Sequence, residues 1–166
     1  EALQNEKLLG ADPELKIEIE VDEDESIIRV RDNGIGMSRD DVVENIGTIA
    51  RSGTKKFMEA MQSNKDDNDV NLIGQFGVGF YSVFMVADKV VLTTRKAGTD
   101  QAVTWESDGK GEFSLAAAAA ADVGTAITLH LREDEKEYLE DFRLKHIINK
   151  YSEHISLPIK MLGAAP

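Results

Sequence analysis

The chain has 166 residues, 42% of them hydrophobic, and its 31 acidic and 19 basic residues give a formal net charge of −12. This length and apolar content support one soluble domain with its own core, and the acidic surplus disfavours nucleic acid, whose phosphate backbone is bound by clustered Lys and Arg. The absence of cysteine excludes disulfides, and no segment predicts a membrane span or a secretion signal.

Two strands are predicted near the start of the chain. Apolar and charged residues alternate over 16–21 and again over 28–31, which is the pattern of strands that bury one face. The acidic segment 22–26 between them is short enough for a turn, so we expect an antiparallel hairpin. The second of these strands ends at Asp32.

A helix is predicted after this hairpin. Ser38 and Asp41 have a spacing that resembles a capping box, and apolar residues repeat at helical spacing over 42–50. The pattern then predicts a second, short helix over 57–61, which is followed by a polar loop over 63–71.

The second half of the chain combines strands with helices. The segment 80–87 is apolar almost all round, which predicts a buried helix. Strands are predicted over 89–95, 101–107, 111–115 and 125–131. Helical spacing returns over 135–154. We therefore predict an α+β fold, a two-layer sandwich of a mostly antiparallel sheet covered on one face by helices.

The aromatic residues of the second half fit core positions. Tyr138, Phe142 and Tyr151 follow the period of the last helix, so we expect them to pack in the core and not to form a platform for stacking bases. Trp105 is also predicted to lie in the core.

Six consecutive alanines occupy 116–121, where a polar connection between strands is expected. The sequence around them is not of low complexity. We therefore interpret these alanines as standing in for side chains of unknown identity, and we infer no chemistry from them.

Two segments containing glycine form the candidate site. Asp32-Asn33-Gly34-Ile35-Gly36-Met37 follows a strand end, and its glycines let the chain turn sharply beside a carboxylate; by itself such a segment is more often a simple turn. Gly74–Gly79 precedes an apolar helix, where converging backbone amides favour a phosphate. The chain lacks the Lys of a P-loop and the parallel βαβ unit of a dinucleotide site.

Together the two segments resemble motifs of the ATPase superfamily shared by gyrase, heat-shock protein ninety, sensor histidine kinases and MutL. Residues 32–37 resemble Asp-x-Gly-x-Gly, and residues 74–79 resemble Gly-x-x-Gly-x-Gly. The longer blocks 47–54, 73–82 and 151–158 are similar to the heat-shock protein ninety family, most closely to its bacterial members. This resemblance covers nearly the whole chain. It implies the Bergerat ATPase fold and the ATP/ADP-binding domain of a chaperone, in which ATP binding and hydrolysis drive lid closure and client protein folding.

The resemblance also implies roles for individual residues. Asp32 would accept a hydrogen bond from the adenine amino group, and Thr125 would support the same edge of the base through water. Met37 and Phe80 would form apolar walls for the base and sugar. The other nucleotide-binding positions would be Gly36, Asn45, Arg51, Gly77, Val78 and Gly79. The segment of about 47–74 would be the lid.

Several of these side chains also fit roles without a ligand. Met37 and Phe80 fit ordinary core positions equally well. Asn45 fits an exposed polar position on a helix, and Arg51 fits a solvated charge. The nucleotide roles therefore depend on the resemblance.

The family's general-base glutamate and magnesium-binding asparagine are not matched in this chain. In the family both lie on a helix that precedes the segment resembling Glu1–Gln4, so we expect no catalytic residue and no metal ligand here. Mg²⁺ would be held mainly by that helix and by the phosphates of ATP or ADP. We also expect little hydrolysis by the chain alone, since water would have no base to orient it. His130, His146 and His154 match no metal-ligand spacing.

The resemblance implies partners and a setting. The partners would be an adenine nucleotide and unfolded client proteins, with a homodimer formed in the full-length protein but not predicted from this segment. Neither nucleic acid nor a membrane is expected. The compartment would be the bacterial cytoplasm, with the mitochondrial matrix as the alternative. Two other functions stay open: another ATPase of the superfamily, of the histidine kinase or DNA-processing type, or a nucleotide-binding module that does not hydrolyse ATP.

Overall fold

The computed structural model describes residues 14–47, 78–119 and 121–163, and these form one seven-stranded sheet. The strands are β1 (Ile17–Asp22), β2 (Ile27–Asp32), β3 (Ala87–Arg95), β4 (Ala102–Ser107), β5 (Phe113–Ala117), β6 (Gly124–Leu131) and β7 (Ile159–Leu162). Their order across the sheet is β5-β4-β3-β6-β2-β1-β7. Neighbouring strands are antiparallel except β7, which runs parallel to β1.

The predicted hairpin of β1 and β2 is confirmed. Ile19 lies opposite Val30, and Glu20 lies opposite Arg29. Arg29 Nη1 is 3.4 Å from Glu20 Oε1. Because side chains alternate between the two faces of a strand, the apolar pair and the charged pair project from opposite faces.

The sheet has one apolar face and one polar face. On the apolar face, four neighbouring strands contribute the opposed residues Val30, Ile127, Leu92 and Trp105. On the polar face, Lys89 Nζ lies 3.0 Å from Glu106 Oε1, and the hydroxyls of Thr93 and Thr104 are 3.3 Å apart. The described helices pack on the apolar face, so the predicted α+β sandwich is confirmed.

The core consists of two clusters of buried residues on the apolar face. The tryptophan cluster comprises Val42, Ile46, Ala87, Val90, Leu92 and Trp105. The second cluster comprises Ile19, Ile28, Leu131 and Leu139. Trp105 has no exposed surface, so its predicted core position is confirmed.

The first helix, α1 (Arg39–Val42), begins at the predicted capping box. Asp41 N donates to Ser38 Oγ at 3.2 Å, and Ser38 N donates to Asp41 Oδ2 at 2.9 Å. A π-helical turn, Val43–Gly47, continues from α1. The remainder of the predicted helix and the predicted helix over 57–61 lie outside the described residues.

The segment predicted as a buried helix over 80–87 differs from that prediction in three ways. It is a 3₁₀ helix, Val78–Met85, and Ala87 already belongs to β3. Met85 is also exposed over half of its surface. Because the segment is apolar almost all round, its sequence specifies neither the helical period nor the face that turns to solvent.

The prediction of one helix over 135–154 was wrong. A 3₁₀ helix, Glu133–Leu139, is followed by α2 (Asp141–Tyr151). Glu140 separates them, with an extended backbone at φ −69° and ψ 119°. The chain therefore changes direction between two shorter helices.

The core positions predicted for Phe142 and Tyr151 were also wrong, since these side chains are 83% and 69% exposed. They lie nine positions apart, about two and a half helical turns, and therefore face opposite sides of α2. Leu144 and Ile148, which share one side of α2, pack against the second cluster instead, as does Tyr138 from the preceding helix.

Two strands differ from the predictions. β5 begins at Phe113, two residues after the predicted start, and continues past Leu115 into the alanine segment, where Ala116 and Ala117 pair with β4. β7 was not predicted, and its pairing with β1 is preceded by a hydrogen bond from Ile17 N to Pro158 O at 2.9 Å. Ladder hydrogen bonds come from the backbone, so pairing of this kind leaves little trace in side-chain pattern.

Candidate functional site

Three neighbouring strands bring three polar residues into one row. Asp32, the last residue of β2, lies opposite Thr125 of β6. Thr125 lies in turn opposite Thr94 of β3. Directly opposed residues of antiparallel strands project from the same face, with Cβ atoms about 4.5–5.5 Å apart. This polar row, Asp32–Thr125–Thr94, therefore closes one end of the apolar face.

Asp32 makes a turn and also keeps an acceptor for a ligand. Its Oδ1 accepts a hydrogen bond from Gly34 N at 2.9 Å. None of the described residues donates to Oδ2. The neighbouring Asn33 is used elsewhere, since its side chain bonds to Glu14 O and Lys16 N. The turn interpretation and the binding interpretation of Asp32 are thus compatible.

The loop after Asp32 is attached to the end of β3. Ala97 N donates to Ile35 O at 2.8 Å, and Met37 N donates to Thr94 Oγ1 at 2.9 Å. These bonds connect positions about 60 residues apart, so the loop keeps one geometry beside the polar row.

Two glycines allow the close approach that this arrangement requires. Gly36 has φ +65°, and a Cβ placed on it would lie 1.9 Å from Arg95 O. Gly124 has φ +125°, and its Cβ would lie 2.2 Å from Asp32 O. Any side chain at either position would force the backbones apart.

Thr94 connects the parts of the site, although its sequence context did not predict this role. It is 1% exposed, and besides the bond from Met37 N its Oγ1 lies 2.9 Å from Gly124 O and 3.1 Å from Thr125 Oγ1. The alternation of buried and exposed residues along β3 could have predicted this position, because it puts Thr94 on the same apolar face as Leu92.

Met37 and Phe80 are both partly buried, and the backbone of Met37 is bonded to Thr94 of the polar row. Each packs against the tryptophan cluster. The Phe80 ring meets Trp105 edge to face, with centroids 5.6 Å apart and planes at 70°. This position fits a core residue, and it also leaves part of each side chain available as a wall.

Asn45 is exposed on the turn that follows α1. Its Nδ2 donates to Asp41 O at 2.8 Å. Asp41 itself is held to the sheet, since its Oδ2 lies 2.8 Å from Lys96 Nζ. The hydrogen bond from Lys96, together with those from Ser38, lowers the pKa of Asp41 to about 2. Asp41, a member of the capping box of α1, thereby connects this helix to Lys96, the residue that follows β3.

The remaining predicted positions lie partly outside the described residues. Arg51 and Gly77 are outside, and Val78 and Gly79 begin the 3₁₀ helix. Of the predicted lid over 47–74, the structure describes only Gly47, which packs closely on the ring of Phe113. The roles proposed for these positions stay predictions.

Across 14–47, 78–119 and 121–163, no three His, Asp or Glu side chains are grouped so as to hold a metal ion. Within the same ranges, no helix is both long and apolar enough to cross a membrane.

Comparison with known proteins agrees with this geometry. Residues 10–111 match the family of histidine kinase-, DNA gyrase B-, and HSP90-like ATPases. The chain is 58% identical over 161 residues to Chaperone protein HtpG of Chromobacterium violaceum. The aligned segment covers 97% of this chain and 25% of that protein. It is 52% identical over 162 residues to Chaperone protein HtpG of Cronobacter sakazakii, with 96% of this chain and 26% of that protein covered. The chain thus spans about a quarter of the length of these relatives.

The family match includes the Asp32 segment and the 3₁₀ helix Val78–Met85. The expected resemblance to the heat-shock protein ninety family is therefore confirmed, and the chain belongs to the histidine kinase-, DNA gyrase B-, and HSP90-like ATPase family.

Proposed function

We propose that this chain is the nucleotide-binding domain of an ATP-driven molecular chaperone and that it binds adenine at the polar row. The observation that carries the proposal is Asp32, whose Oδ1 is used by its own turn while Oδ2 meets no described donor. An amino group of a base is a donor that fits such an oxygen. A charge-assisted bond of this kind contributes about 1.5–3 kcal/mol.

The surroundings of Asp32 support a purine ligand. Met37 and Phe80 are partly buried against the tryptophan cluster, and we propose that they contact the flat faces of the base and sugar. Thr125, directly opposite Asp32, would contact the same base edge. Gly36 would let the loop backbone approach the base.

The phosphates would extend toward the 3₁₀ helix Val78–Met85. Backbone amides at the start of such a helix favour an anion, and we propose that Gly77, Val78 and Gly79 supply them. Asn45 and Arg51 would lie near the ribose and phosphates. Mg²⁺ would be held mainly through the phosphates of the nucleotide.

In the full-length protein, we propose that ATP binding closes a lid over about 47–74 and that hydrolysis reopens it. Closure requires that the closed state bind ATP more tightly than the open state does. Unfolded client proteins and a second copy of the protein would be the partners. The similar proteins come from bacteria, which favours a bacterial cytoplasmic setting.

The test is calorimetric binding of ADP and of GDP to the protein in its full natural length, with and without Asp32→Asn. We expect the wild type to prefer ADP strongly. Asp32→Asn should weaken ADP binding by about tenfold to a hundredfold, because a neutral amide replaces a charged acceptor. GDP presents oxygen in place of the amino group, so its binding should not fall in parallel.

Asp22→Asn is the matched control. Asp22 also ends a strand, and its Oδ1 also caps a turn by accepting from Glu25 N at 3.0 Å, but it lies away from the polar row. This variant should bind ADP like the wild type. Failure of the wild type to bind ADP, or unchanged ADP binding by Asp32→Asn, would contradict the proposed function.

A further inference from the structure

The hydroxyl of Thr94 has three polar neighbours and almost no contact with solvent. Its Oγ1 lies 2.9 Å from Met37 N, 2.9 Å from Gly124 O and 3.1 Å from Thr125 Oγ1. Thr94 is 1% exposed, so water does not compete for these contacts. The directions of the three hydrogen bonds can therefore be assigned by counting protons.

A threonine hydroxyl has one proton to donate and two lone pairs to accept with. Met37 N–H can only donate, so it occupies one lone pair of Thr94. Gly124 O can only accept, so it receives the proton of Thr94. The second lone pair of Thr94 is then filled by the proton of Thr125. This assignment satisfies every polar atom of the group, as burial requires.

The assignment decides what Thr125 presents to a ligand. With its proton directed at Thr94, the Thr125 oxygen offers only lone pairs on its other side. Asp32, opposite Thr125, is a carboxylate and also offers only acceptors. The two residues together form an edge that matches donor groups and gives an oxygen on a base no donor to bind.

We propose that Thr94 is a positioning residue for base selectivity: by fixing Thr125 as an acceptor, it makes the pocket prefer a purine with an amino group at position 6 over one with an oxygen there. This inference rests on the proposed adenine site. Without the Thr94 hydroxyl, Thr125 is free to rotate and to donate to that oxygen.

The test compares ADP with inosine diphosphate, which carries oxygen in place of the 6-amino group, by calorimetry on the full-length protein. Thr94→Val should narrow the ratio of the two affinities by about threefold to tenfold, the value of one neutral hydrogen bond. Thr94→Ser keeps the hydroxyl and should keep the wild-type ratio. A variant that merely loosens the fold would weaken the binding of both nucleotides alike and leave the ratio of their affinities unchanged.

Thr93→Val is the matched control, since it removes a neighbouring threonine hydroxyl from the same strand on the polar face, where the partner is Thr104 at 3.3 Å. It should leave the ratio unchanged. The double variant Thr94→Val with Thr125→Val should show the ratio of Thr125→Val alone, because Thr94 acts through Thr125. Additive effects in the double variant, or an unchanged ratio in folded Thr94→Val, would overturn the proposal.

A second measurement needs no variant. Neutron diffraction from a deuterated crystal should place the hydroxyl deuteron of Thr125 on the line to Thr94 Oγ1. A deuteron directed away from Thr94 would overturn the assignment even if Thr94→Val failed to fold. Absence of any ADP binding by the wild type would instead refute the proposed function, and the selectivity with it.

Discussion

The polar-row end of the sheet and α2 are held in place by different kinds of contact. At the polar row, Thr94 bonds to groups about 30 and 57 residues away. In α2, none of the eleven residues is buried, and the ion pair of Asp141 with Lys145 joins neighbours on one helix. The geometry of the site thus depends on buried hydrogen bonds between distant segments, whereas α2 combines local ion pairs with the partial burial of side chains such as Leu144 and Ile148.

This difference indicates that small changes should have unequal effects in the two regions. A change at the polar row disturbs several strands at once, because each contact there is shared. A comparable change in α2 exposes or removes surface that already meets solvent. The following variants test this contrast by pairing buried positions shared between segments with exposed positions elsewhere.

The largest effect is expected for Gly36→Ala. The new Cβ would lie 1.9 Å from Arg95 O at a residue with φ +65°, so the loop and β3 must separate. We expect more than about 4 kcal/mol of lost stability, measured by urea unfolding, together with loss of ADP binding. Gly98→Ala is the control, since Gly98 has φ +80° but no atom within 4 Å of its Cβ position. It should cost only about 1–2 kcal/mol.

The next effect compares two leucines. Leu92 is 1% exposed within the tryptophan cluster, whereas Leu162, in the edge strand β7, is 42% exposed. Leu92→Ala should destabilise the protein by about 2–5 kcal/mol through lost burial and a cavity. Leu162→Ala should cost less than about 1 kcal/mol. Equal losses in urea unfolding would show that the buried and the exposed leucine contribute equally to stability, contrary to the comparison.

A smaller effect is expected for Tyr81→Phe. The Tyr81 hydroxyl donates to Ile46 O at 3.0 Å and is buried, so its removal leaves a buried carbonyl without this donor. The cost should be about 1–3 kcal/mol in unfolding free energy. Tyr151→Phe, which alters a hydroxyl on a 69% exposed side chain of α2, should change stability by no more than about 0.5 kcal/mol.

The alkaline limb of the stability curve provides a further check on Tyr81. Burial raises the pKa of Tyr81 from 10.0 to about 12. The folded protein therefore holds the Tyr81 proton more tightly than the unfolded protein does. The free energy of unfolding should fall as pH rises from about 10 through about 12. Tyr81→Phe should remove this component. An identical alkaline slope in the two proteins would show that the buried hydroxyl does not contribute.

The smallest effect is expected for Asp41→Asn. Because Lys96 and Ser38 lower the pKa of Asp41 from 3.8 to about 2, its contribution is present above the ordinary pKa and is lost as pH falls toward 2. The variant should therefore lose part of its acid dependence between pH 4 and 2, and the pair's exposure and salt will limit the size of the change. An acid dependence of Asp41→Asn equal to that of the wild type would be evidence against tertiary anchoring by Asp41.

Local patterns predicted the elements whose partners are close in sequence. The β1–β2 hairpin follows from alternation on both sides of a short turn, and the α1 start follows from Ser38 and Asp41, which satisfy each other within one helical turn. Asp32 could be identified because it stands at a strand end beside glycines. Its role as an adenine acceptor came from family resemblance and stays a proposal.

Other features could not be predicted because they depend on which segments meet. Phe142 has the helical spacing of a core residue, yet Leu144 and Ile148 occupy the face that reaches the sheet. Thr94 differs little in sequence context from Thr93, but alternation within β3 puts one under the loop and the other on the polar face.

By itself, the sequence determined the α+β class, the first hairpin, the helix start at Ser38 and the family to which the two glycine segments belong, since each depends on residue type and short-range spacing. Tertiary structure alone decided the polar row, the junction at Thr94, the parallel pairing of β7 with β1 and the exposure of Phe142. These features arise where strands distant in sequence come into register, and hydrogen-bond geometry and the space left by Gly36 and Gly124 then determine which side chains meet.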